Sequence, residues 1–181
     1  MALPGRRRGR GRDSNPTPWS RSSQAVITQN IDGLHQAAGL PEECLVELHG
    51  NFSYAACLEC GLRHEVETIL EIFEHSGDPP DCSACGGLLK TATISFGQAL
   101  PPAAVQRAEA LARQCDLFLV LGSSLVVYPA AALPWLARRS GASLALVNRD
   151  PTEVDPVADL VVRGEIGPTL ASVSDQAGES S

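Results

Sequence analysis

The 181-residue sequence predicts an α/β protein with an open parallel sheet and a small inserted cysteine-rich module. In the second half of the chain, short apolar runs alternate with helical patterns, and polar or glycine-rich residues follow each run. In the first half, four cysteines form two closely spaced pairs. Hydrophobic residues make up 44% and charged residues 19% of the chain, which excludes a wholly disordered protein and a coiled coil.

The first predicted elements are short. Residues 25–28 form an apolar run that stops at a polar group, which indicates a buried strand ending in a loop. Asp32 can cap a short helix over 34–38, and Gly39 can end it. A second apolar run at 45–48 directly precedes the cysteines.

Helical patterns recur along the rest of the chain. A short helix is predicted between the cysteine pairs, over 67–74. The segment 101–115 has prolines in its first turn and an apolar stripe at a spacing of 3.6 residues, so it predicts a longer helix. Residues 129–139 predict a third helix, stopped by Gly141, and a short helix is compatible with 168–173.

Three apolar runs lie between these helices, at 117–121, 143–147 and 158–162. Continuous apolar runs of this length are typical of parallel strands that are buried on both faces. Ligands bind open parallel sheets beyond the carboxyl ends of the strands. Polar or glycine-rich groups follow four predicted strands, and we expect them to outline one crevice: 29–32, 122–124, 148–150 and 164–165.

The cysteine spacing predicts a metal site. The two C-x-x-C pairs, Cys57 with Cys60 and Cys82 with Cys85, are separated by 21 residues. Each pair can place two thiolates on one tetrahedral ion, so the pattern indicates one structural zinc ion closed to water. Two disulfides are the alternative, but they need an oxidising compartment. A redox-active C-x-x-C would need only one pair.

Histidine is sparse in this chain. His64 and His75 lie on polar stretches between the cysteine pairs, where we expect them on the solvated surface. His35 is expected on a helix surface. His49 follows an apolar run and precedes the cysteine-rich module, so we expect it to project into a cleft between two domains as an acid–base group. A histidine that only satisfies a buried carbonyl group is the alternative.

The net charge of −7 is distributed unevenly. Residues 1–24 hold six arginines and one aspartate, which leaves eight basic and twenty acidic residues for the rest. An acidic body argues against a nucleic-acid partner, and no apolar stretch is long enough for a membrane span. We predict disordered tails at 1–24 and 174–181; a basic RNA- or membrane-binding arm is the alternative for the first. Because no apolar targeting segment follows the arginines, we expect a cytoplasmic protein.

Several motifs together resemble the sirtuin family in their order and approximate spacing. They are Thr28–His35, Glu47–Gly50, the double C-x-x-C, Ser95–Gln98, Gly122–Pro129 and Val147–Asn148. Sirtuins are NAD-dependent protein deacylases with a Rossmann-like domain and a small zinc module. The resemblance therefore implies an N-terminally truncated Rossmann-like NAD-binding domain over 25–52 and 92–173 and a zinc-binding module over 53–91.

The resemblance also implies roles for individual residues. His49 would be the general base, with Asn30 and Asp32 beside it at the catalytic centre. The NAD-binding residues would be Gln29, Asn30, Ile31, Asp32, Gly122, Ser123, Ser124, Asn148, Arg149, Glu165 and Ile166. An acyl-lysine protein or peptide would bind at Phe96, Gly97 and Val126. One structural zinc ion would be held by Cys57, Cys60, Cys82 and Cys85.

One segment departs from the family pattern. In the family, a strand, a Gly-rich turn and a loop precede the Gln-Asn-Ile-Asp motif, and residues 1–24 do not match them. From this we expect either a fragment or a degenerate member of the family. Two functions stay open: an enzyme that moves an acyl group from lysine to ADP-ribose with release of nicotinamide, and a zinc-stabilised peptide-binding module without catalysis.

Overall fold

The computed structural model describes the backbone of residues 2–3 and the full residues 25–95 and 97–171. Apart from residues 2–3, the expected tails over 1–24 and 174–181 lie outside these ranges. The chain divides into two compact units, one of Met1–Ile27 with Pro102–Ser181 and one of Thr28–Pro101. No helix within the described ranges is both long enough and apolar enough to span a lipid bilayer.

The described residues contain nine strands, four α-helices with both ends described, and one further helical segment. In chain order they are β1 (Ala2–Leu3), β2 (Val26–Thr28), α1 (Leu34–Ala37), β3 (Leu45–Glu47), β4 (Gly50–Cys57), β5 (Arg63–Glu65), α2 (Val66–Ser76), β6 (Leu89–Thr93), α3 (Pro102–Gln114), β7 (Leu117–Leu121), α4 (Leu133–Arg139), β8 (Ser143–Val147) and β9 (Leu160–Val162). Residues 166–171 are also helical. The predicted α/β class is confirmed.

The first unit contains a four-stranded sheet in the order β1-β7-β8-β9. Strands β7, β8 and β9 are parallel, as their apolar sequences predict, with Leu117 opposite Ser143 and Leu121 opposite Val147. Strand β1 is antiparallel to β7. Leu144 and Leu146 of β8 are fully buried. The carboxyl ends of the three parallel strands therefore lie along one edge of the sheet. Burial on both faces, expected from the apolar runs, is not found for β7 and β9, whose alternate residues are exposed or half-buried.

The helices of this unit differ from the prediction mainly at their ends. Helix α3 is confirmed, and its small residues Ala108 and Ala112 are fully buried. The helix expected over 129–139 begins as a 3-10 turn at Ala130–Ala132 and becomes α-helical only at Leu133. Pro134 lies in the first turn of α4, where its fixed φ suits a helix start.

The second unit contains a sheet that the sequence did not predict. Strands β5, β4 and β6 form an antiparallel sheet, with a register shift in the β4–β6 pair between Gly50 and Ala55. Helix α2 follows β5 and ends at Ser76, with Gly77 as its C-cap at a left-handed φ of 81°. The helix predicted over 67–74 is therefore confirmed, with about a residue or two added at each end.

The expected place of the first strand in the parallel sheet is wrong, whereas the expectation that the four polar groups outline one crevice stays a prediction. Strand β2 is not part of the four-stranded sheet in the described structure; it pairs with β3. The backbone N–H of Leu48, just after β3, donates to the carbonyl oxygen of Thr28 at 3.0 Å. The apolar pattern of a three-residue strand indicates burial but does not select its partner.

Candidate functional site

The four paired cysteines form one cluster in the second unit. Their sulfur atoms all lie within 4.8 Å of one another. The Sγ atoms of Cys57 and Cys85 are 3.4 Å apart, and those of Cys60 and Cys82 are 3.7 Å apart. Two thiolates on one tetrahedral zinc ion, at Zn–S distances of about 2.3 Å, would be about 3.8 Å apart. The cluster therefore fits a zinc ion with four sulfur ligands and no open position.

Two equivalent turns hold the cysteines. In the first turn, Cys57 N–H donates to Leu62 O and Gly61 N–H donates to Cys57 O. The same pair of bonds recurs in the second turn, where Cys82 N–H donates to Gly87 O and Gly86 N–H donates to Cys82 O. Gly61 and Gly86 both have a left-handed φ, of 73° and 72°. Each C-x-x-C thus forms a tight knuckle.

The thiols of this cluster compete for negative charge. The backbone N–H of Cys60 is the main cause that lowers the pKa of Cys57 to about 6. At Cys85 the backbone N–H of Gly87 also lowers the pKa, but neighbouring thiols, chiefly that of Cys57, outweigh it and raise the pKa to about 12. A dication bound between the sulfurs removes this competition, because it stabilises all four as thiolates.

His49 lies beside the polar loop that follows β2, within the same unit. Its Nδ1 atom is 3.0 Å from the carbonyl oxygen of Gln29, and its ring is half-buried. A carbonyl oxygen only accepts hydrogen bonds, so Nδ1 carries the proton. In the neutral ring the lone pair is then on Nε2, which makes Nε2 the atom able to accept a proton.

The loop after β2 keeps its polar side chains accessible. Asn30 and Asp32 are exposed, and Ile31 is 37% exposed. The backbone of the loop is held at both ends, because Thr28 Oγ1 accepts Asn30 N–H at 3.1 Å and Phe52 N–H donates to Ile31 O at 2.9 Å. The fixed backbone leaves the side chain of Asn30 and the second carboxylate oxygen of Asp32 accessible to a ligand.

Asp32 supports the short helix α1 in a different way from the predicted cap. Its Oδ1 atom accepts the N–H of Leu34 at 3.1 Å, but the N-cap position is taken by Gly33, with a left-handed φ of 69°. Gly39 follows the helix with a φ of 80°, as its predicted role as a stop requires.

A carboxylate beside His49 was missed in the sequence. Glu47 Oε1 accepts the side-chain amide of Gln36 at 2.8 Å and that of Asn51 at 2.7 Å. Asn51 is 3% exposed, and its Oδ1 accepts Ser53 N–H. Glu47 thus ties α1 to the start of β4 on either side of His49. The sequence offers no clear signal for this contact, because the burial of Asn51 is visible only in the structure.

In the first unit, the ends of β7, β8 and β9 bring together three predicted segments. Gly122 N–H donates to Val147 O at 3.0 Å, and Asn148 N–H donates to Val162 O at 3.1 Å. Gly122 has a left-handed φ of 58°, and a Cβ there would lie 2.4 Å from Cδ1 of Ile166. Glycine is therefore required at this turn, because the left-handed φ and the side chain of Ile166 leave no room for a Cβ.

The polar residues of this edge are differently exposed. Asn148 is 7% exposed, and its amide donates to Asp150 O at 2.7 Å. Arg149 and Glu165 are exposed, with 3.8 Å between Nη1 and Oε1. Ser123 Oγ accepts Leu125 N–H at 3.3 Å, and Ser124 is exposed. This edge therefore offers amide, hydroxyl and charged groups around one glycine turn.

The predicted substrate residues are only partly described. Phe96 lies outside the described residues. Gly97 is exposed with a left-handed φ of 83°, in a turn where Gln98 N–H donates to Ser95 O. Val126 is 69% exposed in the first unit. The predicted site residues are thus distributed over both units.

The two histidines expected on the surface differ from each other. His75 is exposed, and its Nδ1 lies 2.7 Å from Glu71 O. His64 is half-buried, with its Nε2 3.4 Å from Sγ of Cys82. The expectation is therefore wrong for His64. One feature of the sequence favours burial of His64. It lies between the charged residues Arg63 and Glu65, and in a strand it therefore points to the face opposite to theirs.

Comparisons with known proteins converge on one family. The family model described as Sir2 family matches residues 19–129. The NAD-dependent protein deacetylase of Rhodopseudomonas palustris is 56% identical over 146 residues, which are 81% of this chain and 58% of the relative. The NAD-dependent protein deacylase 2 of Archaeoglobus fulgidus is 41% identical over 84% of this chain and 60% of its own length. The chain spans about three-fifths of the length of these curated relatives.

Solved structures give the same result. A structure titled Sir2 bound to acetylated peptide has a TM-score of 0.79 and 40% identity, and the match covers 86% of this chain and 64% of that one. The structure of Sir2Tm bound to a propionylated peptide also has a TM-score of 0.79 and 40% identity, with 86% and 65% covered.

Proposed function

The chain belongs to the Sir2 family, and from this membership we propose that it acts as an NAD-dependent protein-lysine deacylase. The reaction would move the acyl group from lysine to ADP-ribose and release nicotinamide. The observation that carries the proposal is the family match over residues 19–129, together with relatives named as NAD-dependent deacetylases and deacylases. The alternative of a zinc-stabilised peptide-binding module without catalysis is not favoured, because these relatives are named as enzymes.

We assign the NAD contacts to the two residue sets described above. The glycine turn at Gly122 would contact a phosphate or ribose through its backbone, since a Cβ there would collide with Cδ1 of Ile166. Asn148 and the charged pair Arg149 and Glu165 would hold the adenosine part. In the second unit, Gln29, Asn30, Ile31 and Asp32 would hold the nicotinamide ribose and the carboxamide.

NAD would supply an activated ribose carbon whose nicotinamide group leaves as the acyl oxygen joins it. His49 would accept a hydroxyl proton at Nε2, the atom left with a lone pair by the contact of Nδ1 with Gln29 O. Gln29 O would keep the ring in this tautomer, and Glu47 would fix the backbone on both sides. Gly97, Val126 and Phe96 would position the acyl-lysine segment.

Zinc would serve structure rather than chemistry. The four sulfurs Cys57, Cys60, Cys82 and Cys85 fill a tetrahedral set, so no position is open for water or substrate. All six cysteines are free thiols in the described structure. Free thiols and a zinc–thiolate site persist best in a reducing compartment, and on this ground we propose the cytoplasm.

The activity test places residues of this chain in the context of a longer relative. We suggest a chimera in which the matched segment of the Rhodopseudomonas palustris protein is replaced by the corresponding residues of this chain. With NAD and an acetyl-lysine peptide, the chimera should release nicotinamide and deacetylated peptide, as mass spectrometry would show. In the chimera, His49→Gln should lower turnover roughly 10²- to 10⁴-fold, because the acceptor atom for the proton is lost.

The controls separate catalysis from folding. The His49→Gln chimera should keep the zinc content and melting temperature of the parent chimera. If the folded, zinc-containing parent chimera is inactive while the unaltered relative is active, the proposed activity of these residues is refuted. Equal turnover with histidine and glutamine at position 49 would refute the role of His49 alone.

A further inference from the structure

His64 faces the metal side of the small antiparallel sheet. It is paired with Ala55 of β4, which is 2% exposed. Because alternate residues of a strand share a face, His64 lies on the same face as Ala55 and Cys57. Its Nε2 atom reaches to 3.4 Å from Sγ of Cys82, the buried cysteine of the other knuckle.

The neighbours of His64 fix the strand from the opposite face. The guanidinium of Arg63 lies 4.0 Å from the ring centroid of Tyr54, and its Nε is 2.9 Å from a carboxylate oxygen of Glu65. The cation–π interaction with Tyr54 holds β5 against β4, and the ion pair with Glu65, which lies within β5, orients the guanidinium. The backbone of His64 is thus held in register without using its imidazole.

The two buried sulfurs have different N–H donors. Cys57 Sγ accepts the backbone N–H of Glu59, two residues further on, at 3.4 Å. Within residues 25–95 no backbone N–H of the second knuckle donates to Cys82 Sγ. The imidazole of His64 takes the place of that donor, with its Nε2 atom 3.4 Å from Sγ of Cys82. His64 of β5 therefore supplies to the buried sulfur of Cys82 the kind of N–H donor that Glu59 supplies to the buried sulfur of Cys57.

The negative charge of residues 53–91 makes an N–H donor to the Cys82 sulfur important. Residues 53–91 contain seven carboxylates and only two basic residues. A zinc ion with four thiolates adds a further net negative charge to this segment. Hydrogen bonds to charged acceptors are stronger than neutral ones, so an N–H aimed at a buried thiolate offsets part of this charge.

We infer that His64 is a positioning residue of the zinc site, whose Nε2–H donates to the thiolate of Cys82 and slows the loss of zinc. The inference rests on the proposed zinc site. It assigns a function to a histidine that neither the proposed reaction nor the four-sulfur ligand set uses. The bound partner is the metal ion alone, so deacylase activity is not needed to test it.

Zinc transfer from the full chain to a chromophoric chelator tests the inference directly. His64→Leu removes the donor and should accelerate zinc transfer about tenfold or more, the range typical for a lost partner of a metal ligand. His64→Gln keeps an amide N–H at a similar reach and should transfer zinc at a rate closer to that of the wild type. His75→Leu is the matched control, since it removes an exposed histidine from the same segment and should leave the rate unchanged.

A spectroscopic measurement separates the hydrogen bond from general stability. In the Co²⁺-substituted protein, loss of an N–H donor raises the energy of the thiolate electrons and should shift the sulfur-to-cobalt charge-transfer band to longer wavelength. This shift should occur in His64→Leu and be largely absent in His64→Gln and His75→Leu.

The outcomes are distinct. A wild-type chain with less than half an equivalent of zinc after reducing purification would refute the zinc site itself. With zinc present, equal rates in the wild type and both His64 variants would overturn the inference. It would also fail if His64→Gln lost zinc as fast as His64→Leu, or if His75→Leu produced the same acceleration and band shift.

Discussion

Gly50 fixes the backbone next to His49. Its φ is 76°, and a Cβ at this position would lie 1.8 Å from the carbonyl oxygen of Ala92 on β6. The carbonyl oxygen of His49 accepts Ile94 N–H at 2.9 Å. The backbone of the proposed base is therefore fixed where β4 and β6 approach each other, and this close approach requires that residue 50 has no side chain.

Gly50→Ala should destabilise the protein more than the left-handed backbone alone explains. Left-handed φ in a non-glycine residue costs roughly 1–2 kcal/mol, and here the new methyl group must also push β6 away. We expect the free energy of unfolding to fall by at least about 3 kcal/mol in chemical denaturation. Gly77→Ala is the control, because Gly77 has a φ of 81° with open space around it. An equal loss in both variants would contradict the steric argument.

The sequence could identify some functional residues but not others, for a physical reason. The four cysteines were predictable because their spacing alone builds two knuckles. His49 could be singled out by its position between an apolar run and the first cysteine. The contacts of His64 with Cys82 and of Glu47 with Gln36 could not be predicted, because they join residues 18 and 11 positions apart through strand register and helix placement.

The same distinction holds for strands and helices. Strands β7 and β8 were predicted closely because each is a continuous apolar run, although alternate residues of β7 are exposed or half-buried rather than buried on both faces. Strands β4, β5 and β6 were missed because they are half-exposed and carry polar residues, and because β4 and β6 shift register between Gly50 and Ala55. An apolar period in the sequence indicates which residues are buried. The small sheet next to the cysteines has no clear apolar period, so its strands could not be recognised.

Asp159 connects three elements of the parallel sheet. Its Oδ2 accepts the N–H of Leu144 at 2.8 Å, and both carboxylate oxygens lie 3.0 Å from the guanidinium of Arg138 at the end of α4. Leu144 is fully buried, so its N–H would lack a protein partner if the carboxylate were removed. The carboxylate thus extends the hydrogen bonding between β8 and the start of β9.

Asp159→Ala should lower the free energy of unfolding by about 1–3 kcal/mol, the cost of a buried donor left without its acceptor. Asp159→Asn keeps an acceptor for Leu144 and should cost less. Glu109→Ala removes an exposed ion pair with Arg113 in α3 and should change stability by less than about 0.5 kcal/mol. Thermal or urea unfolding of the three variants checks the order; an effect of Asp159→Ala no larger than that of Glu109→Ala would show that the bond to Leu144 contributes little.

The insertion of the cysteine-rich segment into the chain was predictable, but the boundaries of the unit that contains it were not. The first unit is built from two separate segments, and the second lies between them in sequence. An inserted module was expected from the cysteines, with boundaries at 53 and 91 that stay a prediction. Residues 28–52 and 92–101 belong to the second unit together with the cysteine-rich segment. These residues are grouped by contacts between positions far apart in sequence. Composition and motif spacing therefore could not predict which residues belong to the second unit.

Removal of zinc should therefore loosen the second unit and spare the first. With the metal chelated under reducing conditions, the thiols of the cluster no longer have a shared cation, and the knuckles lose the bond that closes them. The amides of Cys57, Leu58 and Cys82, which donate within or beside the knuckles, should lose protection in hydrogen–deuterium exchange. The amides of Gly122 and Asn148 donate within the parallel sheet and should keep their protection.

Acidification should act in the same direction as the chelator, because protons compete with zinc for the thiolates. Unchanged protection of the knuckle amides after complete metal removal would show that the fold of the second unit does not depend on zinc. Equal loss of protection at Gly122 and Asn148 would show instead that the two units unfold as one.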